Sequence, residues 1–311
     1  MPHFGSMLER TLRPPAPIDL RATLAPHLHG SGDPTMRFAP TGIWRATHTP
    51  DGPATIRLRR EGSTAVRVSA WGSGAEWAIE RSADLIGESD DPSPFEPRDR
   101  LLRELTRRLP GLRISRTNAV VEALVPAILE QKVTGEEAHR SFRRLVRTYG
   151  ETPPGPPAEI AALRLAMPPR SEVLALIPYH ALHPLGLERR RADVIRTAAS
   201  HARRLEELID HPLDAAYRRL RAIPGVGAWT AAEVAFRALG DPDAVSVGDF
   251  HIPNLVAWAL AGEPRGTDER MLELLEPYRG QRGRVIRLLE ASGISAPRFG
   301  PRLAGRRIEA I

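Results

Sequence analysis

The residues best suited to chemistry lie between Ile223 and Asp249, in the segment IPGVGAWTAAEVAFRALGDPDAVSVGD. Pro224 ends one helical stretch, and Gly225 and Gly227 permit backbone angles that residues with side chains avoid. Because a second helix begins at once, its first amides have no partner within the helix and can bind a phosphate. A carboxylate follows at Asp249. The pairing of a phosphate-binding turn with a downstream carboxylate indicates chemistry on DNA.

Each half of this motif also has a purely structural interpretation. A lone Gly-x-Gly sequence in a helical protein is most often a tight turn between packed helices. Asp249 precedes the helical pattern FHIPNLVAWAL and is well placed as its N-cap, a role worth about 1 kcal/mol. The catalytic and the capping roles can coexist in one carboxylate.

From residue 96 onward the apolar pattern predicts helices, which must hold the hairpin in place. One buried stripe contains Val121, Leu124, Val125, Ile128 and Leu129, and the next contains Ala138, Phe142, Leu145 and Val146. Pro126 lies inside the first stripe, where it should kink the helix or mark its true start. Arg189, Arg190 and Arg191 begin a later helix, where they either contact phosphate or form a solvated face.

Before residue 90 the pattern instead predicts a small antiparallel sheet. Apolar and polar residues alternate around Ile56 and Leu58 and again around Val66 and Val68, and turn residues separate the two runs. The helix predicted to pack on this sheet contains Trp77, Ile79 and Leu85. We expect the arginine-rich face of the sheet to be a solvated surface.

The hairpin segment resembles the helix-hairpin-helix/Gly-Pro-Asp superfamily of DNA glycosylases, and within it the 3-methyladenine DNA glycosylase II family. The matching features are the hairpin from Pro224 to Ala231, Asp249, the run AILEQKVTGEEA from Ala127 to Ala138, and Pro277, Tyr278 and Arg279. Together they cover most of residues 95 to 290. The resemblance implies an α+β protein, in which a small antiparallel β-sheet N-terminal domain precedes an all-α, two-subdomain helix-hairpin-helix glycosylase core.

This organisation predicts five segments. Residues 1–15 form a basic tail, and residues 16–90 form the sheet domain with its packed helix. One helical subdomain combines 95–115 with 240–292 and carries Asp249. The other, 116–239, ends in the hairpin, and 293–311 form a basic C-terminal tail.

The resemblance implies a catalytic role for Asp249. In the family the matching aspartate faces the sugar of a damaged nucleotide that has been rotated out of the duplex, and we expect an alkylated base here. Departure of the base leaves positive charge on the sugar, and a fixed carboxylate stabilises that charge and orients water. We therefore expect hydrolysis of an N-glycosidic bond in base excision repair.

The residue after the hairpin defines the expected subtype. Family members that also cleave the strand carry a lysine where this chain has Trp229, and its amine attacks the sugar. Tryptophan cannot do so, which predicts a glycosylase without lyase activity. The resemblance places Trp229, Glu233 and Tyr278 in the base pocket, where a tryptophan face attracts a cationic base by roughly 0.5 to 2 kcal/mol. Each aromatic residue has the alternative of being a core residue, more so for Tyr278.

Two departures from the family pattern affect the expected substrate. Glu233 stands where an aromatic or apolar side chain often meets the base, and Gly248 reduces the acidic pair near Asp249. Lys132 stands where a residue inserted into the vacated stack can lie, and a lysine would act there mainly by its charge. The predicted DNA-binding residues are Gln131, Lys132, Thr134, Pro224, Gly225, Val226, Gly227 and Thr230.

The composition excludes several classes of protein. No cysteine occurs among the 311 residues, which excludes disulfides, thiolate zinc sites and a cysteine-ligated iron–sulfur cluster. The ten histidines show no HExxH spacing, so we expect neither a metal nor another cofactor. The net charge of +6 suits a polyanionic partner, although nearly all basic residues are arginine, as a GC-rich coding sequence would produce.

The remaining expectations concern partner and location. The start, MPHFGSMLERTLRPP, lacks the apolar centre of a signal peptide, and no apolar run is long enough for a membrane helix. We expect a cytoplasmic, nucleoid-associated monomer whose partner is double-stranded DNA containing damaged bases. Two alternatives are a non-catalytic protein that binds bent or damaged DNA, favoured by Glu233 and Gly248, and an oxidised-guanine glycosylase with lyase activity, disfavoured by Trp229.

Overall fold

The computed structural model describes residues 7–297 and residue 308. It contains a five-stranded antiparallel sheet with one short helix between its first two strands, and the chain after the last strand is helical. The strands are β1 Leu8–Leu12, β2 Met36–Ala39, β3 Gly42–Thr49, β4 Gly52–Glu61 and β5 Ala65–Trp71, in the order β1-β5-β4-β3-β2. The predicted α+β class and the small antiparallel N-terminal sheet are confirmed.

The helices are numbered α1 to α16 in chain order. They are α1 Leu20–Leu24, α2 Ala75–Glu80, α3 Ser82–Leu85, α4 Arg100–Arg108, α5 Val120–Leu129, α6 Gly135–Tyr149, α7 Pro157–Leu163, α8 Ser171–Leu176, α9 Tyr179–Leu182, α10 Arg189–Ser200, α11 Ala202–Glu206, α12 Leu213–Arg221, α13 Ala228–Val234, α14 Ile252–Ala261, α15 Asp268–Leu275 and α16 Arg282–Ser292. A π-helical turn, Ala235–Leu239, extends α13. Short 3-10 turns are Ala25–His27, His183–Leu185, Glu207–Asp210 and Glu276–Tyr278. None of the helices within residues 7–297 combines the length and hydropathy needed to cross a membrane.

The N-terminal segment differs from the predicted basic tail over residues 1–15. Leu8–Leu12 form the edge strand β1, which pairs with β5 from Leu8 opposite Ala70 to Leu12 opposite Val66. Without β1 the sheet would end at β5 with unpaired backbone groups. Pairing these groups and burying Leu12 stabilises a strand here, although the basic composition had indicated a loose tail. Residues 1–6 of the predicted tail lie outside the described residues, as do most of residues 293–311.

The arginine-rich face of the sheet is not uniformly solvated. The rings of Trp44 and Trp71 stack on this face with their centroids 5.5 Å apart, and both rings are buried. The guanidinium of Arg57 lies 5.3 Å and 5.5 Å from the two centroids, close enough for cation–π attraction. Arg59 is exposed as expected, so the prediction of a solvated face was wrong for Arg57.

Three large clusters of buried side chains organise the molecule. One lies between the sheet and α2–α3, a second contains α5, α6, α10 and α12–α13, and a third joins α4 to α14–α16. Pro126 lies inside α5, which begins at Val120, so the alternative that Pro126 starts this helix was wrong. The hairpin joins α12 to α13, two helices of the second cluster. Asp249 precedes α14 of the third cluster, so the candidate site lies where these two clusters meet.

Candidate functional site

The hairpin joins α12 to α13, and its two glycines have different roles. Gly225 has a φ of 92°, and a Cβ there would lie 2.3 Å from Cγ2 of Val194. Glycine is therefore required by both backbone angle and space. Gly227 is the N-cap of α13 with a φ of −91°, and a Cβ there would meet nothing within 4 Å. The expectation that both positions need glycine's backbone freedom was wrong for Gly227, which instead leaves the outer surface of the turn open.

Gln131 connects the end of α5 to the hairpin. Its Nε2 donates hydrogen bonds to the carbonyl oxygen of Gly225 at 3.0 Å and to Oγ1 of Thr230 at 2.9 Å. The amide that was predicted to contact DNA thus holds the turn from within. Thr230 and Val226 are buried, so neither side chain is available to a ligand.

The other predicted DNA-binding residues fall into two groups. Pro224, Gly225, Gly227 and Lys132 are exposed, and Lys132 has a left-handed φ of 55°. Thr134 is the N-cap of α6, where its hydroxyl takes part in a capping box with Glu137. The exposed outer face of the turn and Lys132 therefore remain the surface of this region that a nucleic-acid backbone can reach.

Asp249 is half-buried, and both oxygens of its carboxylate are held in place. Oδ2 accepts a hydrogen bond from Nε1 of Trp229 at 2.9 Å. Oδ1 accepts from the backbone amides of His251 at 2.7 Å and Ile252 at 2.9 Å. The carboxylate therefore accepts from the amides at the start of α14 while facing the first turn of α13, although the N-cap residue of α14 is His251 and not Asp249 as predicted.

Gly248 explains one departure from the family pattern. Its φ of 92° favours glycine, and its amide donates to both carboxylate oxygens of Asp268, each at 3.0 Å. The chain turns sharply at this point to present Asp249, and a second acidic residue at position 248 would be strained. Asp268, at the start of α15, supports this turn and was missed from the sequence because it lies 20 residues away.

Glu233 lies one helical turn after Trp229 on α13 and is part of an ionic group. Its carboxylate pairs with the guanidinium of Arg237 and accepts a hydrogen bond from the hydroxyl of Ser246. Burial lowers the pKa of Arg237, but the carboxylates of Glu233 and Glu130 more than reverse this and raise it overall. The spacing of Glu233 and Arg237 is that of an ion pair on one helix face and was visible in the sequence.

A cavity of about 250 Å³ lies near Asp249, although neither Asp249 nor Trp229 is among the residues that line it. Its lining residues include Glu233, Ile252, whose amide donates to Asp249, and Glu290 of α16. Desolvation by the surrounding walls raises the pKa of the Glu290 carboxyl. The charges of Glu233 and Asp249 act in the same direction, and Arg287 opposes them. Glu290 and Arg287 were not identified from the sequence, because only the tertiary packing of α16 brings them here.

Tyr278 does not line this cavity. It is 5% exposed in the third cluster, packs against Phe95, and its hydroxyl donates a hydrogen bond to Asp99. Burial and this hydrogen bond raise the pKa of Tyr278 to about 12. The placement of Tyr278 in the base pocket was therefore wrong, and its alternative as a core aromatic is the correct one.

The three arginines at the start of α10 differ in their exposure to solvent. Arg189 and Arg190 are exposed, but Arg191 is 3% exposed and its Nη1 donates to the carbonyl of Leu129 at 2.8 Å. Arg191 therefore satisfies the C-terminal end of α5, the helix that precedes Gln131. It is neither a solvated residue nor one that can reach phosphate.

Comparisons with known proteins are consistent with this arrangement. Residues 125–279 match the model described as HhH-GPD superfamily base excision DNA repair protein. The chain is 33% identical over 149 residues to the probable bifunctional transcriptional activator/DNA repair enzyme AlkA of Mycobacterium tuberculosis. That match covers 48% of this chain but only 29% of the relative.

Solved structures share the fold. The 3-methyladenine DNA-glycosylase from Archaeoglobus fulgidus superposes with a TM-score of 0.78 at 20% identity, covering 92% of this chain and 99% of that one. The Clostridium acetobutylicum 8-oxoguanine glycosylase/lyase, in complex with double-stranded DNA containing cytosine opposite 8-oxoG, gives 0.67 at 13% identity, with 93% and 97% covered. Residues 125–279 of this chain therefore form a domain of the HhH-GPD superfamily of base excision DNA repair proteins.

Proposed function

We propose that the protein is a DNA glycosylase that rotates a damaged base out of double-stranded DNA and hydrolyses its N-glycosidic bond. The observation that carries the proposal is the position of Asp249. Its carboxylate is fixed by three N–H donors, one of them from Trp229 in the first turn of α13, directly after the exposed glycine hairpin, and Ile252, which donates to it, lines a cavity. A fixed carboxylate stabilises the positive charge that develops on the sugar as the base departs.

The hairpin supplies the second requirement, which is a hold on the DNA backbone next to the reacting nucleotide. The first turn of α13 exposes backbone around Gly227, where no side chain blocks an approaching phosphate. Backbone amides at such a turn bind phosphate without reading sequence. The partner that we propose is accordingly double-stranded DNA, engaged by a monomer.

Hydrolysis without strand cleavage follows from the residue that faces the carboxylate. An amine attack on the sugar needs a lysine beside Asp249, and Trp229 occupies that position with its N–H donated to the carboxylate. Lys132, the single lysine of the sequence, follows Gln131 after the end of α5, whereas the position beside Asp249 is on α13. We therefore propose a water molecule as the nucleophile. The proposed substrates are those alkylated bases that carry positive charge.

A base-release assay tests this function against DNA binding alone. Purified protein is incubated with duplexes carrying one methylated, deaminated or oxidised base, and free base and protein–DNA complex are both quantified. We expect release of the methylated base. Binding to the lesion duplex with no release of any base would instead favour a non-catalytic DNA-binding protein.

The absence of lyase activity has its own test. Borohydride reduces a Schiff base between an enzyme amine and the sugar, which leaves a covalent protein–DNA adduct. We expect no adduct under conditions in which base release is complete. An adduct that disappears in Lys132→Ala would show that the single lysine is a nucleophile and would overturn this part of the proposal.

A further inference from the structure

The candidate catalytic carboxylate belongs to a short turn that runs from Ser246 to Asp249. The amide of Asp249 donates to the carbonyl oxygen of Ser246 at 3.1 Å, which closes a four-residue β-turn. Gly248, the third residue of this turn, is exposed and has a φ of 92°. The turn lies in the loop between the π-helical turn Ala235–Leu239 and α14, so the position of the Asp249 backbone depends on the contacts that hold this loop.

Two carboxylates from other elements hold this turn. The amide of Gly248 donates to both carboxylate oxygens of Asp268, in the first turn of α15, each at 3.0 Å. The hydroxyl of Ser246, a buried residue, donates to Oε1 of Glu233 on α13. Asp249 is therefore held through the two contacts on the residues before it, as well as through the donors to its own carboxylate.

Glu233 is itself fixed by Arg237, whose Nη1 donates to Oε2 of the Glu233 carboxylate. The two side chains are only 13% and 16% exposed, so solvent ions screen this pair weakly. Nε of Arg237 also donates to the carbonyl oxygen of Pro26 at 2.9 Å, in the 3-10 turn that precedes β2. A continuous series of contacts therefore connects the N-terminal part of the chain, through Arg237 and Glu233, to the turn that carries Asp249.

These contacts account for both positions at which the sequence departs from the family pattern. Glu233 stands where an aromatic or apolar side chain often meets the base, and its carboxylate is used here to hold Ser246. Gly248 stands where an acidic residue is common, and its positive φ disfavours any side chain. Its exposed amide is held instead by the carboxylate of Asp268. The two departures therefore belong to one arrangement, which fixes a single turn.

We propose that Glu233 and Asp268 are positioning residues, which set the rate of base release by holding the Ser246–Asp249 turn and, with it, the Asp249 carboxylate. This inference rests on the proposed function, because the reaction is the one assigned there. A carboxylate stabilises charge on the sugar only where it is correctly placed, and a displacement of about 1 Å can cost roughly 100-fold in rate. In this role neither residue has to touch the DNA or the departing base.

Substitutions of Asp268 test the first anchor. Asp268→Ala removes both acceptors of the Gly248 amide, whereas Asp268→Asn keeps one side-chain oxygen for it. With protein in saturating excess, we expect the single-turnover release rate to fall by roughly 10-fold in Asp268→Ala and to stay within about 3-fold of wild type in Asp268→Asn. The dissociation constant for the lesion duplex should not change. Glu269→Ala removes the neighbouring exposed carboxylate from the same turn of α15 and should behave as wild type.

Ser246→Ala tests the second anchor, because it removes the hydroxyl that contacts Glu233 and leaves the buried ion pair with Arg237 intact. We expect its release rate to fall by roughly 3- to 10-fold, again with unchanged lesion binding. The indole N–H of Trp229 reports the position of the carboxylate, because it donates to Oδ2 of Asp249. In proton–nitrogen correlation spectra of the free protein, its signal is the indole resonance that Trp229→Phe lacks.

That signal should shift in Asp268→Ala and in Ser246→Ala and should keep its wild-type position in Glu269→Ala. Wild-type release rates in both anchor variants would overturn the inference while leaving the glycosylase function intact. Slower release with an unshifted Trp229 signal, or weaker lesion binding at an unchanged rate, would also overturn it. If the wild-type protein releases no damaged base, the proposed function itself is contradicted, whereas the spectra still test whether the two anchors hold Asp249.

Discussion

Nε1 of Trp229 donates a hydrogen bond to Oδ2 of Asp249 at 2.9 Å, and this contact joins the hairpin to the carboxylate. Trp229 packs against the second cluster, whereas Asp249 precedes α14 of the third, and the two residues are 20 positions apart in sequence. An indole that fixes the orientation of a carboxylate also occupies the place where an amine nucleophile would have to stand. The same contact therefore connects the geometry of the site with the proposed hydrolytic reaction.

Removing the indole N–H should slow base release without removing DNA binding. Trp229→Phe retains an aromatic side chain but leaves Oδ2 of Asp249 without its donor, so the carboxylate becomes less well oriented. We expect the single-turnover rate to fall by roughly 10-fold, the amount associated with a charge-assisted hydrogen bond. Trp77→Phe on α2 serves as the control. Equal rates for Trp229→Phe and the control would show that the contact does not position the carboxylate.

The two hairpin glycines should separate folding from DNA binding. Gly225→Ala combines a left-handed φ with a Cβ 2.3 Å from Val194, and we expect it to lower the free energy of unfolding by about 2 kcal/mol. Gly227→Ala meets no such obstacle and should leave the melting temperature unchanged. Its new methyl group should instead weaken DNA binding. Urea titrations and binding isotherms distinguish the two effects, and equal destabilisation by both substitutions would contradict this account.

Lys132 has a left-handed backbone conformation at an exposed position, and so does Arg164 at the end of α7. Replacing either residue with glycine relieves the strain and should stabilise the fold by roughly 1 kcal/mol. Only Lys132→Gly should weaken DNA binding and lower the salt dependence of the binding constant by about one released counterion. If both variants retain the wild-type salt dependence, Lys132 does not contact phosphate.

Glu206 should give the folded protein a distinct pH dependence. Burial raises its pKa from 4.5 to about 7, although the amides of Val120 and Val121 donate to its carboxylate and oppose that shift. Since the folded-state pKa lies above the unfolded one, the stability contribution is complete below pH 4.5 and is lost as the pH rises to about 7.

The variant Glu206→Gln cannot titrate at this position. Between pH 4.5 and 7.5 the wild-type protein should therefore lose up to about 3 kcal/mol of unfolding free energy relative to the variant. Urea unfolding at several pH values measures this difference. Parallel pH profiles for the two proteins would mean that Glu206 has a similar pKa in the folded and unfolded states.

The sequence predicted the features that depend on local patterns. Alternation around Ile56 and Val66 predicted the sheet, and Gly225 marked the turn between two helices. Asp249 was predicted both as a candidate catalytic residue and as a helix cap, and its carboxylate does accept from two amides at the start of α14, whose N-cap residue is His251. These predictions need only the period of the apolar residues and the conformational preferences of single residues.

Features that depend on tertiary contacts could not be predicted in this way. Tyr278 matches a family motif, but its ring is oriented by Phe95 and Asp99, far away in the sequence. Gln131 was predicted to face DNA, whereas its donors satisfy the hairpin. Arg287 lies on a helix whose sequence shows no functional motif, and it reaches the cavity only through the packing of α16.

Asp249→Asn tests the central claim most directly. Asparagine can still accept from the amides at the start of α14 through its side-chain oxygen but has no negative charge, so stability should change by less than about 1 kcal/mol. We predict that single-turnover release of a methylated base falls by roughly 100- to 1,000-fold, with lesion binding retained, while Asp193→Asn on α10 behaves as wild type. Release at the wild-type rate by a folded Asp249→Asn protein would contradict a catalytic role for this carboxylate.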